Sequence, residues 1–198
     1  MKKIRIALSM ALVVTFLFPA CKKGEKDPFI TLSSRDGRIT AKWKLTSYDA
    51  TEVSTATALG ITTVTTKTYK FNGSTETITT VTSVTGQAST TDTEVNVYTF
   101  EMTLDKRGIV TYSALGVDDN GNSATSTGDG TWIWAGNTKD KDYIQIDLCG
   151  SVPFGGLYYI YELKSKELIV KQTDNYGSSS SDGTTDQKNE YTYTFTKG

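Results

Sequence analysis

The stretch TTKTYKFNGSTETITTVTSVT, residues 65–85, decides the fold. Its arms are rich in Thr, Val, Ile, Tyr and Phe, side chains that fit a pleated sheet and lose rotamer freedom in a helix. Between the arms lies Asn72-Gly73, a pair that tolerates the positive φ of a tight reversal and signals a β-hairpin. Two strands folding back on one another are antiparallel neighbours. The same grammar, a β-rich run followed by a turn, extends outward in both directions.

Towards the N-terminus, AKWKLTSYDATEV (41–53) alternates so that Trp43 and Leu45 share a face. Towards the C-terminus, EVNVYTFEMTL (94–104) aligns Tyr98, Phe100, Met102 and Leu104, and Asp105 to Gly108 turns the chain into IVTYSAL (109–115). Asp118-Asp119-Asn120-Gly121 reads as another hairpin turn. A calcium loop with its glycine at Gly121 would need an acidic ligand where Gly116 stands, so no metal site is assigned there. SATSTGDGTWIWAG (123–136) places Trp132 and Trp134 together. Its Gly128-Asp129-Gly130 reads as a bulge or turn, because no helix follows to supply a phosphate-binding dipole. DYIQIDL (142–148) aligns Ile144, Ile146 and Leu148, SVPFGG (151–156) breaks the pattern, and GLYYIYEL (156–163) sets Leu157, Tyr159, Tyr161 and Leu163 on one face. ELIVKQT (167–173) follows a short turn, NYGSSSSDGTTD (175–186) reads as a flexible loop, and NEYTYTFTK (189–197) aligns Tyr191, Tyr193 and Phe195. The pattern predicts an all-β domain over residues 39–198, an antiparallel meander closed as a barrel or stacked as a sandwich. A barrel of about eight or nine strands removes the open edges that a Thr-rich sheet would expose.

Several motifs along these strands resemble the lipocalins. That family opens its first barrel strand with Gly-x-Trp; here Ala41-Lys42-Trp43 stands in that place, with alanine for glycine. Gly130-Thr131-Trp132-Ile133-Trp134 and the run Tyr161 to Val170 resemble later strands of lipocalin-like bacterial lipoproteins. The resemblance implies an up-and-down barrel with Trp43 as a structural plug at its closed end; an ordinary core tryptophan is the other reading of that residue. It also implies an interior holding side chains or one small ligand.

The first residues carry an address. Lys2, Lys3 and Arg5 precede an uncharged apolar run from Ile6 to Phe18, too short to cross a bilayer core that needs about 20 residues. A basic start, a short apolar segment and a small residue before a break form a signal peptide, residues 1–20. Ala20-Cys21 resembles the cleavage site of bacterial lipoproteins, in which the cysteine is lipidated with palmitate-like chains and becomes the mature N-terminus. Lys22, rather than an aspartate, follows it, and by that resemblance favours the Gram-negative outer membrane. Residues 21–38 then form the lipidated cysteine and a polar tether. The expected location is the cell envelope, membrane-bound through Cys21.

Composition removes other classes. The chain has 21 basic and 22 acidic residues, and loss of the leader removes three of the basic ones. That is no footprint for nucleic acid. The chain has no histidine, which eliminates His-based triads and His metal sites. No catalytic residue and no cofactor is assigned. With Cys21 lipidated, Cys149 has no disulfide partner and is expected to be a buried thiol. Glu101, Asp147 and Glu162 lie on strands, and a facing pair could serve acid–base chemistry; solvated or paired surface carboxylates are the simpler reading.

Tyr98, Phe100, Trp132, Trp134, Tyr159, Tyr161 and Tyr193 are the candidate ligand-binding residues. They would line an apolar pocket with a polar rim for a small hydrophobic or amphipathic ligand. The alternative is a filled core and a barrel that serves as a protein- or glycan-interaction module.

Overall fold

A computed structural model describes residues 34–118, 120–136, 141–149, 154–180 and 183–198. The signal peptide, Cys21 and the first part of the tether lie outside the described residues. So do Asp119 of the 118–121 turn, residues 137–140 and residues 150–153.

The described chain opens with a one-turn helix, α1 (Arg35–Ile39), capped by the Ser34 hydroxyl, which accepts from the Gly37 amide. It occupies residues that sequence assigned largely to the tether, and its Arg35, Arg38 and Ile39 are buried. Ten strands follow: β1 (Lys42–Ala58), β2 (Ile61–Phe71), β3 (Thr75–Val84), β4 (Thr90–Leu104), β5 (Ile109–Val117), β6 (Ser123–Ala135), β7 (Tyr143–Leu148), β8 (Gly156–Leu163), β9 (Glu167–Ser180) and β10 (Gly183–Lys197). Each pairs antiparallel with its sequence neighbour, and β1 pairs with β10 to close a barrel.

The expected eight or nine strands become ten for a specific reason. At the end that holds α1, hereafter the base, β1 pairs directly with β4 through Lys42↔Thr103, Trp43↔Met102 and Lys44↔Glu101. The β2–β3 hairpin enters the wall only higher up, from Tyr48↔Phe71 and Thr75↔Val97 onward. The base is therefore an eight-stranded ring, and the hairpin is a wedge that widens the other end to ten. Barrel diameter grows with strand number, so the wedge opens a mouth above a narrow base.

The wedge turns at Asn72-Gly73. Gly73 has φ +100, and the Asn72 carboxamide accepts from the Ser74 and Thr75 amides. The turn sits against a β-bulge in β1. Between Leu45 and Ser47 the pairing with β10 slips, and a Cβ on Gly73 would lie 3.3 Å from the Thr46 carbonyl oxygen. One extra residue in a strand inverts the inward parity beyond it. Below the bulge Trp43 and Leu45 point inward; above it Tyr48, Ala50 and Glu52 do.

The base is filled. Trp43 is fully buried and its indole N–H donates to the Ile39 carbonyl at 2.7 Å. Leu104, Ile144, Ile160, Leu163 and Leu168 pack around the same level, all at most 1% exposed. Full burial of such side chains contributes roughly 1.5–3 kcal/mol each. The next level is aromatic, and its centre is Phe154, from the segment that breaks the strand pattern. Its ring stacks on Tyr158 at 4.7 Å and meets Tyr193, Phe195 and Phe100 at 5.1, 5.3 and 5.4 Å.

Two other expectations change here. The 175–186 stretch is not a loop through most of its length. Tyr176 to Ser180 continue β9, and Gly183 begins β10, paired from Gly183↔Ser180 to Thr196↔Glu167. Gly and Ser lower strand propensity, but an antiparallel partner supplies the backbone hydrogen bonds that hold them extended. Gly128-Asp129-Gly130 likewise lies inside β6. A Cβ on Gly130 would come within 1.9 Å of the Asp147 carbonyl, so the residue admits a close backbone approach and no turn.

Phe154→Ala removes the ring on which four aromatic neighbours converge. It should destabilise the fold by about 3–5 kcal/mol, read from the shift of a urea unfolding midpoint. A loss under about 1 kcal/mol would show that this segment does not close the core.

Candidate functional site

Above the aromatic layer the barrel does not fill. A cleft of about 440 Å³ lies at the mouth. Its wall comes from six strands: Tyr48 and Glu52 from β1, Tyr69 from β2, Glu76 from β3 and Tyr98 from β4; β9 and β10 close the circle with Gln172, Asp174, Tyr191 and Tyr193. Tyr69 and Glu76 belong to the wedge, so the hairpin both widens the mouth and supplies part of its lining.

Glu52 is the hub of the polar contacts. The Tyr69 hydroxyl donates to its Oε2 and the Tyr191 hydroxyl to its Oε1, each at 3.0 Å. The rings around it are ordered against one another. Tyr48 and Tyr193 stack at 4.8 Å with planes 9° apart, and Tyr48 meets Tyr69 at 6.0 Å. Tyr98 stands edge-on to Phe71 at 5.9 Å.

Burial governs ionisation here. Loss of water raises the phenols of Tyr48, Tyr69, Tyr98, Tyr191 and Tyr193 above the ordinary range, and nearby carboxylates add to the effect for all but Tyr193, where neighbouring phenols do. Burial also lifts Glu76 above the usual carboxylate range, partly offset by a hydrogen bond from Asn96. The three carboxylates are spread around the wall. Among the described residues no group of three or more acidic or cysteine side chains is arranged to hold a metal ion.

Of the seven candidate binding residues, two line this cleft, Tyr98 and Tyr193. Phe100 lies beneath in the aromatic layer, 1% exposed. Trp132 and Trp134 are at the base. Trp132 donates to the Asp105 carbonyl at 2.9 Å; Trp134 donates to Asp36 of α1 at 2.6 Å and carries Lys141 over its ring at 5.4 Å. Tyr159 and Tyr161, expected to line the pocket, instead face outward. The inward residues of β8 are Tyr158 and Ile160, 1% and 0% exposed, whereas Leu157 is 48% exposed. Tyr159 packs on Tyr143 at the surface, and Lys171 sits 3.7 Å over the Tyr161 ring. GLYYIYEL is apolar in both parities, and a bulge between Ile160 and Glu162 returns Leu163 to the interior.

The carboxylates weighed from sequence do not converge. Glu101 pairs with Lys42 at 2.7 Å, Asp147 accepts from Gln145, and Glu162 pairs with Lys164. Cys149 is exposed rather than buried, one residue past the inward-outward alternation of β7. The residues missed, Tyr48, Glu52, Tyr69, Glu76, Gln172 and Asp174, gain their place from the Thr46 bulge and the wedge. The one local signal was Asn72-Gly73, which fixes the hairpin that carries Tyr69 and Glu76.

Comparison with protein-family models, curated proteins and solved structures yields no match.

The buried phenols make the fold sensitive to alkali. Their protonated forms are favoured in the native state, so the stabilisation is intact below the free phenol pKa of about 10 and is lost as pH rises through the raised native values. Titration followed by phenolate absorbance should show a fast-ionising set of tyrosines and a second set that ionises only together with the loss of near-ultraviolet circular dichroism. Uniform ionisation of all tyrosines near pH 10 would contradict the buried cluster.

Proposed function

We propose that this chain is a lipid-anchored protein of the Gram-negative cell envelope, tied to the outer membrane through Cys21, whose barrel mouth binds a small amphipathic molecule without transforming it. The observation that carries the binding reading is the division of the barrel interior. A base packed with aliphatic and aromatic side chains supports a cleft of about 440 Å³ walled by tyrosines and carboxylates. Convergent polar groups on an otherwise aromatic concavity are what a small-molecule site requires. The rings would shed water from the ligand's apolar part while hydroxyls and carboxylates meet its polar end. The lipocalin-like motifs around Trp43 support the same reading.

A second reading, an envelope protein- or glycan-interaction module, draws on the tip of the β1–β2 hairpin. Leu59 is 98% exposed and Ile61 55%, two apolar side chains presented to solvent at the summit of the longest strand. A partner would cover them.

Native mass spectrometry of the protein taken from its own membranes should find a small-molecule adduct that a Tyr48→Ala/Tyr193→Ala variant loses. An empty wild-type barrel, together with crosslinks captured at Leu59, would move the assignment to the interaction module. For the anchor, metabolic labelling with palmitate should mark the wild-type chain and leave Cys21→Ser unmarked and released from the membrane fraction; equal retention of both would refute it.

A further inference from the structure

The mouth has a sign. Glu52, Glu76 and Asp174 reach it from three strands, and no lysine or arginine is among the described residues that line it. Like charges in a partly dry cleft repel an anion strongly, which excludes a fatty carboxylate or a phosphate as the group seated there. Each Glu52 oxygen accepts one phenol hydrogen and Glu76 is met by the Asn96 amide. These partners are neutral and do not cancel the carboxylates' charge. Among the described residues no three acidic side chains are grouped to hold a metal ion. Tyrosine rings stand between them, with Tyr48 stacked on Tyr193 and Tyr191 nearly parallel to Tyr193, 11° apart. Ring faces attract cations, and desolvation strengthens the attraction.

We propose that the mouth takes an organic cation, an ammonium or quaternary ammonium group bearing an apolar substituent, seated against the Tyr48, Tyr69 and Tyr193 rings and neutralised by Glu52, Glu76 and Asp174. This rests on the reading of the mouth as a small-molecule site and narrows it to one chemical class. The apolar substituent extends over the aromatic layer, and the positive head offsets the charge that the fold keeps in the cleft.

The test is calorimetric titration of the full-length, lipidated protein in lipid nanodiscs, with empty discs subtracted, using benzyltrimethylammonium, phenylacetate and phenyl glucoside as probes. The cation should bind at least about tenfold more tightly than either of the others, and its affinity should fall as salt rises from about 0.01 M to about 1 M. Glu52→Gln/Glu76→Gln/Asp174→Asn, which keeps shape and removes charge, should cost the cation about tenfold or more. Glu76→Gln alone should fold at least as well as wild type at neutral pH, because burial there disfavours the ionised carboxylate; it gives a folded variant whose cation affinity must also drop. Phenylacetate or phenyl glucoside binding as tightly as the cation, or a salt-independent cation affinity, overturns the proposal while the small-molecule reading survives. If no probe binds, the adduct found by native mass spectrometry decides. A cationic adduct supports the proposal, a neutral or anionic one overturns it, and an empty barrel overturns both.

Discussion

One extra residue in β1 governs the molecule. The bulge at Thr46 lets a single strand serve two interiors, because it inverts which side chains face inward halfway up the wall. Without it, the parity that buries Trp43 and Leu45 would carry Ser47, Asp49 and Thr51 inward, and the mouth would lose Tyr48 and Glu52. The Thr46 hydroxyl holds the irregularity by donating to the Thr194 carbonyl at 3.2 Å. The β2–β3 hairpin ends at that level, its turn against Thr46. Bulge and wedge are thus one device: the strand changes face where the ring changes size.

That device separates a packed base from a polar mouth. The base carries Trp43, Leu104, Ile144 and Leu163 in a dry, close-packed core, and an aromatic layer around Phe154 seals it. The upper level holds polar groups that a dry core would not, namely a carboxylate lifted by desolvation and tyrosine hydroxyls raised by burial and nearby carboxylates. Such groups are costly in a core and useful in a site. The hydrogen bonds from Tyr69 and Tyr191 to Glu52 tie the wedge and β10 to β1, so the polar layer also fastens the wall that contains it.

Sequence gave up the architecture more readily than the site, for reasons that can be named. Asn72-Gly73, the alternation through Trp43 and Leu45, and the Tyr191-Tyr193-Phe195 face announce antiparallel strands because each is a local signal. Period two holds only until a bulge, and neither Thr46 nor Tyr161 carries a local mark that it will be one. Hence the inward face of β8 is opposite to the one its tyrosines suggest, and Glu52 looks like an ordinary surface acid. The strand count rose for a similar reason: the pairing of Lys42 with Thr103 skips a whole hairpin, and skipping is a long-range fact. Phe154 was hidden because a segment flanked by glycine and proline resembles a loop, whatever its one large ring does.

The entry of the chain at the base has a geometric meaning. Residue 34 leads into α1 under the filled end, and the terminal Gly198 amide donates to the Lys42 carbonyl at the same end. Residues 34 and 198 thus both sit at the closed pole, and anything that enters the cleft comes and goes at the opposite one.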